Sequence, residues 1–262
     1  MVQNTEKYTV ITGASSGIGY ETAKAFAERG SSLILVARRK DRLETLRQEI
    51  LALHPMLDIV VKAADLSVPQ NVFQLYESIK SYPLQTWVNN AGFGNYGSVG
   101  NQDLEKISRM LHLNVEALTV FSSLFVRDFK DAKGTQLINV SSCGGYTIVP
   151  NAVTYCAAKF YVSAFTEGLA WELKAAHAKM QAKVLAPAAT KTEFGKIAND
   201  VTEYDYDRLF GTYHTSTQMA AFLLELYDSD KTVGFVDRET FSFHLYEPQV
   251  QYAGSSRHNQ KM

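Results

Sequence analysis

Tyr155 and Lys159 stand four residues apart, the spacing that puts two side chains on one helix face. A phenol beside an ammonium is a device for moving a proton. Free tyrosine, with a pKa of about 10, is too weak a base at neutral pH, and a neighbouring cation favours its ionised form. Spacing alone does not single out this pair. With 14 tyrosines in the chain, chance supplies roughly one such match, and others occur, Tyr20–Lys24 and Tyr76–Lys80 among them. Context separates them. Ser141 and Ser142 close the run Asn139-Val140 ahead of Tyr155, with Ser142 thirteen residues upstream. The same offset before Tyr20 and Tyr76 holds Lys7 and Ala63. A serine hydroxyl there can hold a substrate oxygen by hydrogen bond.

A second constellation lies near the start. Thr12-Gly13-Ala14-Ser15-Ser16-Gly17-Ile18-Gly19 follows an apolar run and opens a helical pattern. Small residues let backbone approach a pyrophosphate, and a helix start offers free N–H groups and a positive dipole end. The next apolar run ends in Val36-Ala37-Arg38-Arg39, with Arg38 nineteen residues after Gly19. An acid at that place would take a ribose 2′-hydroxyl, whereas arginine suits a 2′-phosphate.

The elements that position these groups alternate. Short apolar runs at 8–12, 33–37, 59–63, 86–89, 136–140, 183–186 and 232–236 read as strands buried on both faces. Between them lie amphipathic helices. One carries Leu43, Leu46, Ile50 and Leu53; another is capped by Asp103 and continues through Leu104, Ile107, Leu111, Val115 and Leu118. Gly30 closes the first helix. The rhythm predicts an α/β fold, a Rossmann-like doubly wound and mostly parallel sheet of seven strands with helices on both faces. A single domain is expected over 1–262. Residues 190–212 form a candidate substrate lid, and 237–262 a C-terminal extension with an alternating run from Phe241 to Tyr246 that suits an extra edge strand or a subunit contact.

Composition excludes several classes. Lys plus Arg total 26 against 27 Asp plus Glu, a net charge of -1, which is no footprint for nucleic acid. Cys143 and Cys156 make neither a disulfide framework nor a metal-ligand spacing. No apolar run approaches the roughly 20 residues of a membrane span. The polar start reads as no signal peptide, so a cytoplasmic protein without membrane partners is expected.

Taken together the pieces resemble the short-chain dehydrogenase/reductase family over essentially the whole chain. They are Thr12 to Gly19, Asp65-Leu66, Asn89-Asn90-Ala91-Gly92, Asn114, Ser142, Tyr155 with Lys159, and Pro187 to Thr192. The resemblance implies an oxidoreductase that interconverts an alcohol and a ketone or aldehyde by hydride transfer with a nicotinamide cofactor, and Arg38 and Arg39 point to NADP(H) in preference to NAD(H). It implies a catalytic tetrad of Asn114, Ser142, Tyr155 and Lys159, with Tyr155 as general acid and base. Asn114 would kink its helix and hold a water that links Lys159 to solvent. Cofactor contacts are expected from Gly13, Ser15, Ser16, Gly17, Ile18, Gly19, Arg38 and Arg39. Asp65 and Leu66 would meet the adenine, and Asn90, Ala91 and Gly92 the adenosine ribose. Tyr155, Lys159, Pro187, Thr190 and Thr192 would surround the nicotinamide end. The family has Pro-Gly where this chain has Pro187-Ala188, so a different loop is expected there. Phe93, Cys143, Tyr146 and Phe194 are expected against the small-molecule substrate, together with Val149, Ile197, Tyr204, Tyr206 and Phe210. Small residues on the Tyr155 helix (Ala157, Ala158, Ser163, Ala164, Gly168, Ala170) suit the family habit of pairing subunits there, as a homodimer or homotetramer. Two alternatives use the same fold: a non-catalytic NADP(H)-binding sensor or scaffold, and an epimerase or dehydratase.

Overall fold

The computed structural model describes residues 7–254. Its strands are β1 (Tyr8–Thr12), β2 (Ser32–Ala37), β3 (Ile59–Ala63), β4 (Leu84–Asn89), β5 (Gln136–Val140), β6 (Gln181–Ala186), β7 (Thr190–Lys191), β8 (His214–Thr215), β9 (Val233–Val236) and β10 (Phe243–Tyr246). Its helices are α1 (Gly17–Glu28), α2 (Lys40–Leu53), α3 (Pro69–Ile79), α4 (Leu104–Leu111), α5 (Leu118–Phe129), α6 (Val153–Ala175), α7 (Phe194–Asn199), α8 (Tyr206–Phe210) and α9 (Ser216–Asp228).

Alternate side chains along each central strand enter different cores, which is why the strands read as unbroken apolar runs. Val10, Ile34 and Val36 meet Trp87, Phe121 and Phe125 on one face. Ile11, Leu33 and Leu35 meet Phe26, Leu43 and Leu223 on the other. The strands pair in the order β10-β9-β6-β5-β4-β1-β2-β3, while β7 and β8 pair separately. Seven strands of the large sheet are parallel, and β10 runs antiparallel to β9. The sheet therefore has eight strands rather than the expected seven. The alternating run near the C-terminus supplies the eighth, covering an edge that β9 would otherwise present. Residues 255–262 of the expected extension lie outside the described residues.

Helix ends follow local chemistry. The Asp103 side chain accepts from the Glu105 and Lys106 N–H groups and caps α4. Thr215 and Gln218 form a reciprocal capping box on α9. Gly30, at φ +79°, turns the chain out of α1. Between α4 and α5 the helix opens into a π-helical turn over His112–Ala117. That turn changes which face is buried. Met110, Asn114, Ala117 and Leu118 point inward, whereas the expected core residues Leu104 and Leu111 are exposed, as is Leu53 at the end of α2.

A buried polar chain crosses the sheet. Trp87 Nε1 donates to Asn89 Oδ1 (2.8 Å), Asn89 Nδ2 to Asn139 Oδ1 (2.9 Å), and Asn139 Nδ2 to Thr166 Oγ1 (2.9 Å) on α6. Further along α6, the buried Glu167 carboxylate collects the Tyr146 hydroxyl (2.5 Å) and the N–H groups of Gln249 and Val250. Tyr252 stacks on Trp171 just beyond, so the tail is strapped along α6.

Candidate functional site

Strand order reverses between β1 and β4, the switch point where an open α/β sheet leaves a crevice at the carboxyl ends of its strands. Thr12 ends β1 there. Its hydroxyl accepts from the Asn90 and Ala91 N–H groups (3.0 Å each), and Asn90 Nδ2 donates to the Thr12 carbonyl (2.9 Å). These bonds lock the loop after β4 against the glycine-rich turn. Gly13, at φ +71°, needs its missing side chain, because a Cβ would meet Asn90 Nδ2 at 2.8 Å.

The catalytic candidates converge one strand further along. Ser142 follows β5 in an extended conformation and accepts from the Gly144 N–H (3.0 Å). Tyr155 and Lys159 sit on the first turns of α6, which is fixed to β5 by Ser141: its hydroxyl donates to the Lys159 carbonyl (2.9 Å) and pairs with the Ser163 hydroxyl (2.8 Å). Lys159 Nζ donates to the Val140 carbonyl (2.8 Å) and lies 5.8 Å from the centre of the Tyr155 ring. Burial pulls the Lys159 ammonium down to about 8. Burial pushes the Tyr155 phenol well above its ordinary value, with Tyr96 beside it acting the same way and a hydrogen bond with Ser142 opposing. The protein alone therefore holds Tyr155 protonated at neutral pH. Asn114 sits at the π-helical turn, a register change that aims its amide at the loop after β4. Its Oδ1 accepts from the Phe93 N–H (3.1 Å) and its Nδ2 donates to the Phe93 carbonyl (2.8 Å).

One cavity of about 430 Å³ runs from the glycine-rich turn to Tyr155. It brings together Gly13, Ser15, Ser16, Gly17, Ile18, Arg38, Arg39, Asp65, Leu66, Asn90, Ala91 and Gly92 at one end. Ser142, Tyr155, Lys159, Pro187, Thr190 and Thr192 line the other. Gly19 and Asn114 lie behind its wall rather than on it. A groove floored by small residues, with arginines at one end and a buried phenol at the other, fits an elongated dinucleotide. Asp65 is held below the usual carboxylate range: burial pushes it up, but the Ser67 hydroxyl (2.7 Å) and N–H (3.0 Å), with the Arg38 and Arg109 charges, together outweigh that. Ala188 takes an ordinary φ, so the Pro-Ala sequence imposes no strain. The Pro187 carbonyl accepts from the Cys143 N–H (2.8 Å).

On the substrate side Phe93, Cys143, Val149, Phe194, Ile197, Tyr204, Tyr206 and Phe210 all face the cavity. Tyr146 does not. Its hydroxyl is drawn to Glu167 and its ring packs edge-on against Phe235 (5.6 Å), which turns it to the tail. Tyr96 and Glu193 are among the lining residues that escaped sequence reasoning. Tyr96 stands edge-on to Tyr155 and Phe194, each 6.3 Å away, and burial pushes its phenol up. Nothing in the sequence marked Tyr96; nearby Gly94 is kept small by a different aromatic, since a Cβ there would meet the Phe194 ring at 2.7 Å. Glu193, in the segment 190–212, reaches Arg39 at 2.8 Å and had no sequence signal. The segment 190–212 is tied to α4 by Lys106, whose ammonium meets Asp200 (2.6 Å) and the Ile197 carbonyl (2.9 Å). Among the described residues no His, Cys, Asp and Glu cluster could hold a metal ion, and no helix is long and apolar enough to cross a membrane.

Known proteins agree with this architecture. An uncharacterized oxidoreductase of Staphylococcus saprophyticus is 31% identical over 208 residues, 78% of this chain and 83% of the relative. A short-chain dehydrogenase from Sphingobium yanoikuyae, solved in complex with NADPH, superposes with a TM-score of 0.80 at 28% identity, covering 87% of this chain and 86% of that one. A bulky-bulky ketone specific alcohol dehydrogenase from Comamonas testosteroni superposes with a TM-score of 0.74 at 25% identity, covering 95% and 88%. The profile described as short chain dehydrogenase matches residues 7–202. The chain belongs to the short-chain dehydrogenase family, whose members are oxidoreductases that use a nicotinamide cofactor on small-molecule substrates.

Proposed function

We propose that the protein is an NADP(H)-dependent oxidoreductase that interconverts a bulky, largely apolar ketone or aldehyde with its alcohol. The observation that carries this reading is the shared cavity, with Arg38 and Arg39 at one end and Ser142, Tyr155 and Lys159 at the other. A nicotinamide cofactor held in this groove would supply the hydride chemistry at the carbonyl carbon, in either direction. The chain's own residues do the rest. Gly13, Ser15, Ser16, Gly17 and Ile18 hold the pyrophosphate, and Arg38 and Arg39 the 2′-phosphate. Ser142 holds the substrate oxygen, and Tyr155, kept protonated by its burial, gives that oxygen its proton. In the reverse direction the phenol must ionise, and the nearby Lys159 ammonium favours that. Asn114 positions the Gly92–Phe93 turn.

Substrate size follows from the aromatic wall of Phe93, Tyr96, Phe194, Tyr204 and Tyr206, which offers apolar area around few polar groups. The bulky-ketone specificity of the Comamonas enzyme supports the same class. Subunit pairing through α6 is part of the proposal, because Phe160, Tyr161 and Leu111 are left exposed.

The test is a carbonyl panel followed by NADPH absorbance, with Tyr155→Phe as control. Bulky apolar ketones should oxidise NADPH, and Tyr155→Phe should lose about 10²- to 10⁴-fold in turnover while binding NADPH nearly as before. Near-normal turnover in that variant defeats the assignment, and NADPH binding without turnover on any carbonyl favours a sensor.

A further inference from the structure

The phosphate-reading arginine already has an anion. Arg39 does not extend into solvent from the start of α2. It folds back over the glycine-rich turn, where its Nη2 donates to Ser16 Oγ (2.9 Å), Ser15 Oγ (3.2 Å) and Glu193 Oε2 (2.8 Å). Arg42 approaches the other oxygen of the same carboxylate at 3.6 Å. Glu193 arrives from the far side of the groove, 154 residues away in sequence, on the loop that begins the lid. Its neighbour Thr192 rests on the same turn, where a Cβ on Gly17 would meet the Thr192 methyl at 2.9 Å. The loop is thus clipped to the glycine-rich turn by one close contact and one ion pair.

A ribose 2′-phosphate brings roughly two negative charges and three acceptor oxygens, which is what an arginine beside two serine hydroxyls recognises. Glu193 presents one charge and two acceptor oxygens to the same guanidinium. The two anions compete for the same N–H groups and repel each other when both are near. A ribose with a free 2′-hydroxyl makes no such demand and leaves the pair intact.

Resting on the NADP(H) reading above, we propose that Glu193 is a specificity-determining residue: an internal stand-in for the 2′-phosphate that occupies Arg39 and must yield it when a 2′-phosphorylated cofactor binds. Glu193 lowers affinity for the phosphorylated cofactor and not for its 2′-hydroxyl counterpart, so it narrows the preference that Arg38 and Arg39 create. Because the carboxylate sits on the lid loop, the exchange also removes one of the two contacts that clip that loop to the glycine-rich turn, leaving the Thr192 contact.

The experiment is calorimetric titration of the whole protein with 2′,5′-ADP and with 5′-AMP, which differ only by the 2′-phosphate. It uses the wild type, Glu193→Gln, Arg39→Ala and the double variant, with thermal melts to confirm equal folding. Both partners are partly exposed (side chains 40% and 35%), so the effect is moderate. Glu193→Gln should tighten 2′,5′-ADP about three- to tenfold and leave 5′-AMP within about twofold, and the gain should vanish on the Arg39→Ala background. Unchanged or weaker 2′,5′-ADP binding, equal tightening of both ligands, or a gain that persists without Arg39 overturns the proposal. The cofactor reading fails separately. If wild type binds 5′-AMP as tightly as 2′,5′-ADP, the NADP(H) preference is lost, and a preference that emerges only in Glu193→Gln still supports Glu193 as the competitor.

Discussion

Replacing Asn114 by alanine tests whether the π-helical turn exists to hold the loop after β4. Asn114 is 1% exposed, and its amide makes a two-way bridge to Phe93, accepting at 3.1 Å and donating at 2.8 Å. Alanine removes both bonds and leaves a void the size of a carboxamide. Each lost hydrogen bond is worth roughly 1 kcal/mol and the void adds to that, so the loss should be about 2–3 kcal/mol. For a chain of this length that corresponds to a Tm lower by about 4–12 °C. Urea unfolding followed by far-ultraviolet circular dichroism measures it as a lower midpoint at unchanged slope. Turnover should fall further than stability suggests, by as much as about 100-fold, because a shift of about 1 Å in the Gly92–Phe93 turn misplaces groups beside Lys159. A stability loss below about 0.5 kcal/mol would mean that water replaces the amide, and the turn would then have no positioning role.

Changing Arg38 and Arg39 together to alanine should weaken NADPH about 10- to 100-fold more than NADH, as read from dissociation constants; equal losses point to general charge instead. Glu167→Ala leaves two tail N–H groups and the Tyr146 hydroxyl without their acceptor, so it should destabilise by roughly 2–4 kcal/mol and speed proteolysis between residues 246 and 254. An unchanged cleavage rate would show that Trp171–Tyr252 stacking alone keeps the strap. Burial holds both Lys159 and Lys183 at about 8, below the ordinary lysine value of 10.5. At these two sites the unfolded chain therefore binds more protons between about pH 8 and 10.5, and their contribution to stability should rise with pH across that window. Urea midpoints across that window should rise less steeply in Lys159→Met, and an unaltered slope would place the ammonium in solvent.

Sequence revealed most where a contact is local or periodic. The parallel strands were legible because both faces are buried, and the Asp103 cap because its acceptor sits beside the N–H groups it serves. The helix face through Leu104 and Leu111 was misread because a π-helical turn advances the register, and only the awkward Asn114 hinted at it. Helices of five and six residues, such as α8 and α7, are too short to show a period, so no helix was expected within residues 190–212. Tyr146 was placed by its neighbourhood, while its direction is set by Glu167 and Phe235, far along the chain. Glu193 is the extreme case: its meaning depends on a partner that no local pattern could supply.

The buried amides that cross the sheet give it a vernier. Asn89 and Asn139 are paired residues in the β4–β5 ladder, each the last or next-to-last residue before a loop that lines the cavity. Sliding either strand by one place would strand both amides among Trp87 and Phe121, where an unmatched polar group costs about 1–3 kcal/mol. The penalty falls on every wrong alignment at once, which an apolar ladder cannot do, since one aliphatic contact is much like the next. The half of the groove lined by the glycine-rich turn and the half lined by Ser142 and Tyr155 are thereby indexed to each other, and loops on either side can vary in sequence without losing that alignment.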